Sequence, residues 1–525
     1  LKPFLFKFRL RTRPDPIQGV FLPGTAMWVG CALAVVVRYL LFFMGAPAYL
    51  EEHLEINSPM TSYTTLKECL FLLEGGASPY AGAVCHHPPL LLLLLRPLGQ
   101  APAVAHFTLV VVADVATALL LRLLAVHSAA AKSRAGPLWA EASVKLVEGG
   151  AAAPAQASLA LEDLVSPAFV GLSYLFNPFV VASCLASSMQ NFHHVAICGA
   201  ICLAACGRVG AAAGALAVLL YLCPWTPLVL VLPVAYLSLS QRRPAGEAAE
   251  VRGAYVRSKD TALLEQGLAP RLVCFVVGVL LLLACLHAGS GAMMKGDLRF
   301  LQATVGTVMT VADLTPNVGI FWYLFIEVFD RYRSLFLLVF HGHLLFYPVP
   351  LHLRLGRHQP IGPWLHCTVA VGIIALFRPY PTASDFGLMV STLLVQAELI
   401  REAENMFAFL LSGLLFGLCM FPTMAAVWLS RNAGNANFLY NMTLVINVFG
   451  GLLLTEWIRS GVRLRRRVHA TAFCRGVLLE ALDRALDKPG AGGAEQVGEA
   501  AVEDAAAAGP DAASGDAGDG LRRRR

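Results

Sequence analysis

Long apolar segments recur along the whole chain and decide what it can fold into. Twelve of them are long enough, or nearly so, to cross a bilayer: residues 20–44, 88–126, 167–186, 192–206, 209–223, 226–240, 272–289, 334–352, 361–377, 384–400, 405–430 and 436–458. A hydrocarbon core of about 30 Å needs roughly 20 apolar residues in one helix. With 57% hydrophobic and 14% charged residues, the 525-residue chain is too apolar for a soluble globular protein. The sequence therefore predicts an all-α polytopic membrane protein with about 12 transmembrane helices.

Basic residues predict how these helices are oriented. If the N-terminus is cytoplasmic, the loops on that side hold 23 lysines and arginines up to Arg467, against seven on the opposite side. Such an excess marks cytoplasmic loops, so both termini are expected in the cytoplasm, and the net charge of +6 reports topology and not nucleic-acid binding. The expected parts are a basic N-terminus (1–19), a membrane domain (20–460) with cytoplasmic loops near 127–166 and 241–271, and a cytoplasmic tail (461–525) that is disordered from about 488.

This orientation places the polar, motif-like segments on the other side of the membrane. They are INSPMTSY (56–63), EGGASPY (74–80), DLTPN (313–317), RPYPTASD (378–385) and NAGNANF (432–438). A short amphipathic helix at about 64–75, ended by two glycines, is expected to lie on the same surface. The protein is therefore expected to work at its luminal or external face.

The segment from residue 313 to 336 combines a polar turn with an aromatic, apolar run that carries two acids. Trp322 and Tyr323 are typical of an interfacial aromatic belt. Glu327 and Asp330 could face other helices or a wet cavity, because a carboxylate facing lipid costs several kcal/mol. Alternatively, this is an ordinary loop before a helix whose acids pair with the arginines that follow. The sequence leaves both interpretations open.

No residue pattern predicts catalysis, a metal or a cofactor. The 13 cysteines show no CxxC and no paired spacing, and the stripe of Cys198, Cys202 and Cys206 is typical of packing. The histidines between His341 and His358 have no acids at ligand spacing and are expected in the core or at an interface.

Uncharged polar side chains at two helix mouths favour a binding role. Asn432, Asn435 and Asn437 lie at one mouth, and Thr315 and Asn317 at another. Such donors and acceptors suit sugar or phosphate headgroups, and the apolar walls below them suit acyl chains. The alternative is that these asparagines only cap helices and fill turns, which is their commonest use.

Five segments carry a family resemblance. They are SPYAGAVCHHPPL (78–90), YLFNPF (174–179), DLTPNVGIFWYLFIEVF (313–329), FRPYPTASD (377–385) and GNANFLYNMTLVINV (434–448). In this order they closely resemble the PIG-U family, the multi-span subunit of the glycosylphosphatidylinositol (GPI) transamidase. The resemblance extends from about residue 30 to 460 and leaves out only the alanine-rich loop and the tail.

The resemblance implies an endoplasmic reticulum membrane protein that helps the transamidase recognise its GPI lipid. Another subunit, the cysteine protease-like PIG-K, would cut and transfer the protein substrate, and the other implied partners are PIG-T, PIG-S and GAA. The matching segments nominate six lipid-binding residues: Asn435 and Asn437 as headgroup contacts, and Asp313, Asn317, Tyr323 and Glu327 as residues that shape the cavity.

The family also resembles the GT-C type GPI mannosyltransferases, whose first luminal loop carries an acidic D-x-D or E-x-D. Aligned through SPY, that position here reads PMT (59–61), and Glu51, Glu52 and Glu55 nearby lack the spacing. Sugar transfer needs a carboxylate near the attacking hydroxyl. We therefore predict a non-catalytic subunit that binds the GPI lipid. The alternatives are a mannosyltransferase using a dolichol-linked donor and, last, a transporter.

Overall fold

The computed structural model describes residues 25–134, 165–241, 268–357, 361–403 and 405–486, with side chains up to residue 468. These residues form helices and turns and contain no strand. In chain order the main helices are α1 (Thr25–Phe43), α2 (Tyr63–Glu74), α3 (Pro89–Leu95), α4 (Ala103–Arg134), α5 (Pro167–Leu175), α6 (Pro178–Leu185), α7 (Gln190–Ala205), α8 (Val209–Leu222), α9 (Val231–Ser240), α10 (Leu268–Met293), α11 (Phe321–Glu327), α12 (Asp330–Gly342), α13 (Gly362–Phe377), α14 (Ala383–Leu393), α15 (Glu398–Ala403), α16 (Asn405–Ala425) and α17 (Ala436–Leu486).

Shorter helical turns join or extend the main helices. The short α-helices are Ala46–Leu50, Arg299–Leu301, Thr307–Thr310 and Pro348–Leu351. The 3₁₀ turns are Pro79–Ala81, Arg96–Leu98, Thr226–Leu230, His343–Phe346 and Leu394–Gln396, and the π-helical turns are Gln302–Gly306, His352–Gly356 and Ala426–Ser430.

Six of the helices are long and apolar enough to cross a membrane, and α5 with α6, bent by 50°, would make a seventh. The six are Thr25–Phe43, Ala103–Ser133, Leu268–Met293, Asp330–Gly356, Asn405–Ser430 and Ala436–Val468. Four further apolar helical segments are shorter: Pro89–Leu98, Val209–Leu222, Thr226–Ser240 and Gly362–Phe377. The described residues therefore form an all-α, multi-pass membrane protein, and the count of twelve crossings and the GT-C likeness stay predictions.

Two helices continue past boundaries that the sequence predicts for the membrane domain and its loops, and these boundaries stay predictions. Helix α4 continues to Arg134, so its last turns occupy the start of the loop expected from residue 127. Alanine has the highest helix propensity, and the AVHSAAAKSR segment is rich in it. Helix α17 likewise continues through residue 460 to Leu486, so the described part of the expected tail is helical. The part expected to be disordered lies outside the described residues.

Close helix approaches organise the bundle. A Cβ at Gly171 of α5 would lie 2.5 Å from the Ala118 carbonyl oxygen of α4, so only glycine lets these helices pack backbone to backbone. At the other end of the chain, a Cβ at Gly417 of α16 would lie 2.8 Å from Ile446 Cγ1 of α17. Small residues at such crossings are typical of membrane bundles, where close packing replaces the hydrophobic effect between helices.

A disulfide joins Cys69 of α2 to Cys85, with the two Cα atoms 5.5 Å apart. The sequence does not predict this bond, because the cysteines show no recognisable paired spacing. The pair forms because α2 ends at Gly75 and the chain turns back along the helix before α3 begins. Cys69 and Cys85 thereby meet inside a small apolar cluster with Leu66 and Tyr80.

Candidate functional site

The two predicted polar mouths lie against each other. The Tyr323 hydroxyl of α11 donates a hydrogen bond to Asn437 Oδ1 at the start of α17. Farther along α17, the Thr443 hydroxyl donates to the Asn317 carbonyl oxygen at 3.5 Å, and Asn447 Nδ2 donates to the Val318 carbonyl oxygen at 3.4 Å. One surface, which we call the asparagine rim (Asn435, Asn437 and Tyr323), therefore combines residues separated by more than 100 positions.

Four aromatic rings form a floor beneath this rim. Tyr323 and Tyr440 have ring centroids 4.5 Å apart, Trp322 and Tyr440 5.8 Å, and Trp322 and Trp428 6.3 Å. Trp428 belongs to the π-helical turn that ends α16, a feature often found at functional sites. Trp322 is fully buried, so its predicted place in an interfacial belt is wrong. Its indole belongs to the main apolar core and packs against Trp428, after α16, and Tyr440 of α17.

Asn435 and Asn437 combine capping with open hydrogen-bonding capacity. Asn435 Oδ1 accepts the Asn437 backbone N–H at 3.1 Å, which begins α17. Both side chains are exposed, and neither Nδ2 group donates to any residue that the structure describes. Helix capping and headgroup binding by these asparagines are therefore compatible, because the side-chain oxygens accept hydrogen bonds within the protein and the amide N–H groups remain available to a ligand.

Asp313 and Asn317 lie behind the rim and shape the turn. Asp313 Oδ1 accepts the Thr315 N–H at 2.8 Å. Asn317 is 1% exposed, and its Oδ1 accepts the Gly319 N–H at 2.8 Å while its Nδ2 donates to the Thr315 carbonyl at 3.1 Å. The side chain of Asn317 is thus committed to its own turn.

The two acids of the 313–336 segment are exposed. Within the described residues, neither Glu327 nor Asp330 forms an ion pair, so the pairing with nearby arginines is not observed. Arg333 instead donates to the carbonyl oxygens of Val311 at 2.9 Å and Phe325 at 3.1 Å. Glu327 lies one helical turn after Tyr323 on α11, at the edge of the asparagine rim.

A buried polar network that the sequence analysis missed crosses the bundle interior. Arg38 of α1 and Asp114 of α4 form an ion pair of 2.9 Å. Asp114 Oδ1 accepts from Asn191 Nδ2 and, at 3.4 Å, from the Tyr174 hydroxyl, which also contacts His194 Nδ1 at 2.9 Å. Arg38 and Asp114 each stand alone in an apolar segment, which is the signal that could have identified them.

The network continues into the 378–385 segment. Arg378 Nη1 lies 3.0 Å from Asp385 Oδ1. Arg378 also donates to Gln190 Oε1 at 2.8 Å and to His193 Nδ1 at 2.7 Å. Arg378, His193 and Met60 line a small cavity. This second ion pair therefore fixes a segment that the sequence places in a surface loop.

Polar segments expected on one side of the membrane contact one another in the structure. The Ala383 N–H donates to the Glu55 carbonyl oxygen at 2.7 Å, which joins the first loop to the 378–385 segment. His86, next to the disulfide, places Nδ1 2.8 Å from the Ala303 carbonyl oxygen. The first loop thus contacts the buried 378–385 segment, and the residues next to the disulfide contact the segment before the asparagine rim.

These features define a multi-pass helical membrane protein with a buried ionic interior and an exposed polar rim over aromatic rings. A family model described as GPI transamidase subunit PIG-U matches residues 32–446. The chain therefore belongs to the PIG-U family of GPI transamidase subunits, a family of GPI-anchor biosynthesis.

Individual relatives agree over most of their length. The human GPI-anchor transamidase component PIGU is 30% identical over 454 residues, which covers 86% of this chain and 96% of the human protein. The Saccharomyces cerevisiae GPI transamidase component GAB1 is 24% identical over 430 residues, which covers 81% of this chain and 91% of the yeast protein. The GAB1 homologue of Schizosaccharomyces pombe is 25% identical over 419 residues.

Proposed function

We propose that this protein is a non-catalytic subunit of the GPI transamidase that binds the GPI lipid and presents it for attachment to protein C-termini. The observation that carries the proposal is the contact between Tyr323 and Asn437, which joins two polar segments into one rim. The relatives are named as GPI transamidase components. A GPI lipid has a headgroup of sugars and phosphates on acyl chains, and this rim offers surfaces suited to both parts.

The asparagine rim offers hydrogen-bond donors to a polar headgroup, and the helices that carry it offer exposed apolar side chains to acyl chains. The Nδ2 groups of Asn435 and Asn437 are neutral donors suited to phosphate and hydroxyl oxygens. Leu429, Phe438 and Leu444, on the helices that carry the rim, are 49%, 51% and 40% exposed. A bound amphiphile would place its polar end on the amides and cover these apolar side chains with its chains.

Catalysis is assigned to a partner, the protease-like PIG-K, with PIG-T, PIG-S and GAA as the other subunits. In the first loop, Met60 lines the cavity and Thr61 is fully buried, with its carbonyl oxygen accepting the Met189 N–H at 2.9 Å. Glu55 Oε1 lies 2.8 Å from His53 Nδ1. These side chains leave the mannosyltransferase alternative without a carboxylate at the position where its chemistry needs one.

We assign the rim to the lumen of the endoplasmic reticulum and both termini to the cytoplasm. The Cys69–Cys85 disulfide supports this orientation, because disulfides persist in oxidising compartments. The loop that carries the disulfide contacts Ala303, from which the chain leads directly to the rim. The distribution of lysine and arginine supports the same orientation independently.

The test compares two variants at one position. Asn435→Asp keeps the oxygen that caps α17 and removes the amide donors, and it adds a charge that repels phosphate. Asn435→Lys places a bulky cation in the rim. We expect both variants to assemble with the other subunits, to lose most of the GPI lipid that copurifies with the complex, and to attach anchors poorly.

The matched control is Asn405→Asp, an identical change at an exposed asparagine that begins α16, at the end of this helix far from the rim. It should retain lipid and activity. Normal lipid content, measured by mass spectrometry, together with normal anchor attachment in Asn435→Asp would remove the proposed site.

A further inference from the structure

We infer that Tyr380 is a positioning residue for the asparagine rim, although its phenol lies behind the rim and does not reach the headgroup. The inference rests on the proposed function and extends it to a buried residue outside the six predicted site residues. Tyr380 belongs to the turn at 378–385 and is 2% exposed. Its hydroxyl holds the backbone of the segment that leads into the rim.

The Tyr380 hydroxyl connects two backbone positions on that segment. It accepts the Asp313 N–H at 3.1 Å and donates to the Thr307 carbonyl oxygen at 3.4 Å. Asp313 begins the polar turn, and Thr307 begins the short helix before it. One buried oxygen therefore contacts both sides of the bend between helix and turn, and a partly buried backbone N–H would lose its protein partner without it.

The bend contains a strained residue. Val311 has φ 48° and ψ 53°, a left-handed conformation that β-branched side chains rarely adopt. Such a conformation persists only where the surroundings hold it. Thr307 and Asp313, the two partners of the Tyr380 hydroxyl, lie on either side of Val311 in the chain. The hydroxyl is therefore placed to hold the strained conformation.

The support beneath Tyr380 is rigid. Arg378 and Asp385, at the two ends of its turn, form a buried ion pair of 3.0 Å. Asp385 Oδ2 also accepts the Thr382 N–H at 2.8 Å in the capping box of α14. The turn can thus act as a fixed base, because buried charge-assisted hydrogen bonds are short and directional.

A second contact places the same turn against the far side of the polar segment. A Cβ built on Gly319 would lie 2.7 Å from the Pro381 ring, so the two backbones approach as closely as glycine allows. The Gly319 N–H is held by Asn317 Oδ1, and the Asn317 carbonyl oxygen accepts from Thr443 of α17. Displacing the turn would therefore move the contact between α17 and the segment that carries Tyr323.

The experiment measures binding of a GPI with a fluorescent acyl chain to the purified complex. Tyr380→Phe removes only the hydroxyl, and we expect affinity to fall by about fivefold or more, the equivalent of one buried hydrogen bond. The matched control is Tyr221→Phe, whose buried hydroxyl accepts the Leu90 N–H at 3.1 Å and contacts Ser290 Oγ at 2.6 Å, in another part of the bundle. This control should lower thermal stability similarly and leave affinity unchanged.

A second variant separates positioning from general stability. Val311→Gly makes the left-handed conformation easy to adopt but also removes a fully buried side chain, so Val311→Gly alone is the reference. Adding Tyr380→Phe to Val311→Gly should lower affinity clearly less than adding it to the parent protein. Unchanged affinity in Tyr380→Phe, or an equal loss of affinity in Tyr221→Phe, would overturn the inference about Tyr380. If Asn435→Asp still lowered affinity in that case, the proposed lipid site would remain supported. If Asn435→Asp also bound normally, the proposed function and the inference would fail together.

Discussion

Two polar regions of this protein contrast sharply: the buried network around Arg38 and Asp114, and the asparagine rim. In the network both oxygens of Asp114 accept hydrogen bonds, and the ion pair is at most 1% exposed. In the rim, the amide donors of Asn435 and Asn437 have no partner among the described residues. An unsatisfied polar group is energetically costly when it is buried, so every polar group of the network needs a hydrogen-bond partner in the folded protein. Exposed donors can instead bind water until a ligand replaces it. Completed hydrogen bonding therefore marks structure here, and spare capacity marks binding.

The largest effect should follow from breaking the buried ion pair. Asp114→Ala leaves the Arg38 guanidinium unpaired and should destabilise the protein by about 3–5 kcal/mol. Thermal unfolding in detergent or the yield of folded protein measures this loss. Replacing both charges, Arg38→Met with Asp114→Leu, should recover most of the stability. An unfolding midpoint of Asp114→Ala equal to that of the parent would contradict the structural role of the buried network.

The disulfide-linked first loop should show a somewhat smaller effect. Cys69→Ser opens a loop of 16 residues in sequence separation, and we expect a loss of about 2–4 kcal/mol. Reducing agent should lower the unfolding midpoint of the parent protein and leave that of Cys69→Ser unchanged. Equal sensitivity of the two proteins to reductant would show that the bond does not stabilise this loop.

His87 should make the same region sensitive to acid. Burial lowers the pKa of His87 from 6.5 to about 4. As pH falls, the unfolded chain takes up the proton first, so stability is complete above pH 6.5 and declines between 6.5 and 4. The loss should reach about 1–3 kcal/mol, and His87→Gln should flatten this part of the stability profile. If the stability of the parent and that of His87→Gln fell equally between pH 6.5 and 4, His87 would not be the group responsible.

The smallest effect on stability should come from the asparagine rim itself. Tyr323→Phe removes the hydrogen bond to Asn437 and keeps the ring in the aromatic floor. We expect a loss of about 0.5–1.5 kcal/mol in stability, together with clearly reduced GPI lipid in the purified complex. If Tyr323→Phe lost as much stability as Asp114→Ala, and lost lipid only in proportion to the loss of folded protein, the rim would have a structural role and not a binding role.

Composition and charge placement were enough to predict an all-α, multi-pass membrane protein, because bilayer thickness and helix geometry impose long apolar segments on any such chain. The same reasoning located Asn437 and Tyr323 as polar or amphipathic residues at helix ends. It could not predict that they touch, since their separation in sequence is 114 residues and no local rule relates them.

Long-range packing alone accounts for the remaining features. Trp322 was expected at the membrane interface, but in the structure it is buried against Trp428 and Tyr440, which are more than 100 residues away in the chain. Cys69 and Cys85 pair because the chain turns back beside α2, and Arg38 meets Asp114 because α1 and α4 lie side by side in the bundle. Local sequence sets each helix and its polar ends, while the partner of a buried charge or thiol depends on contacts between distant helices.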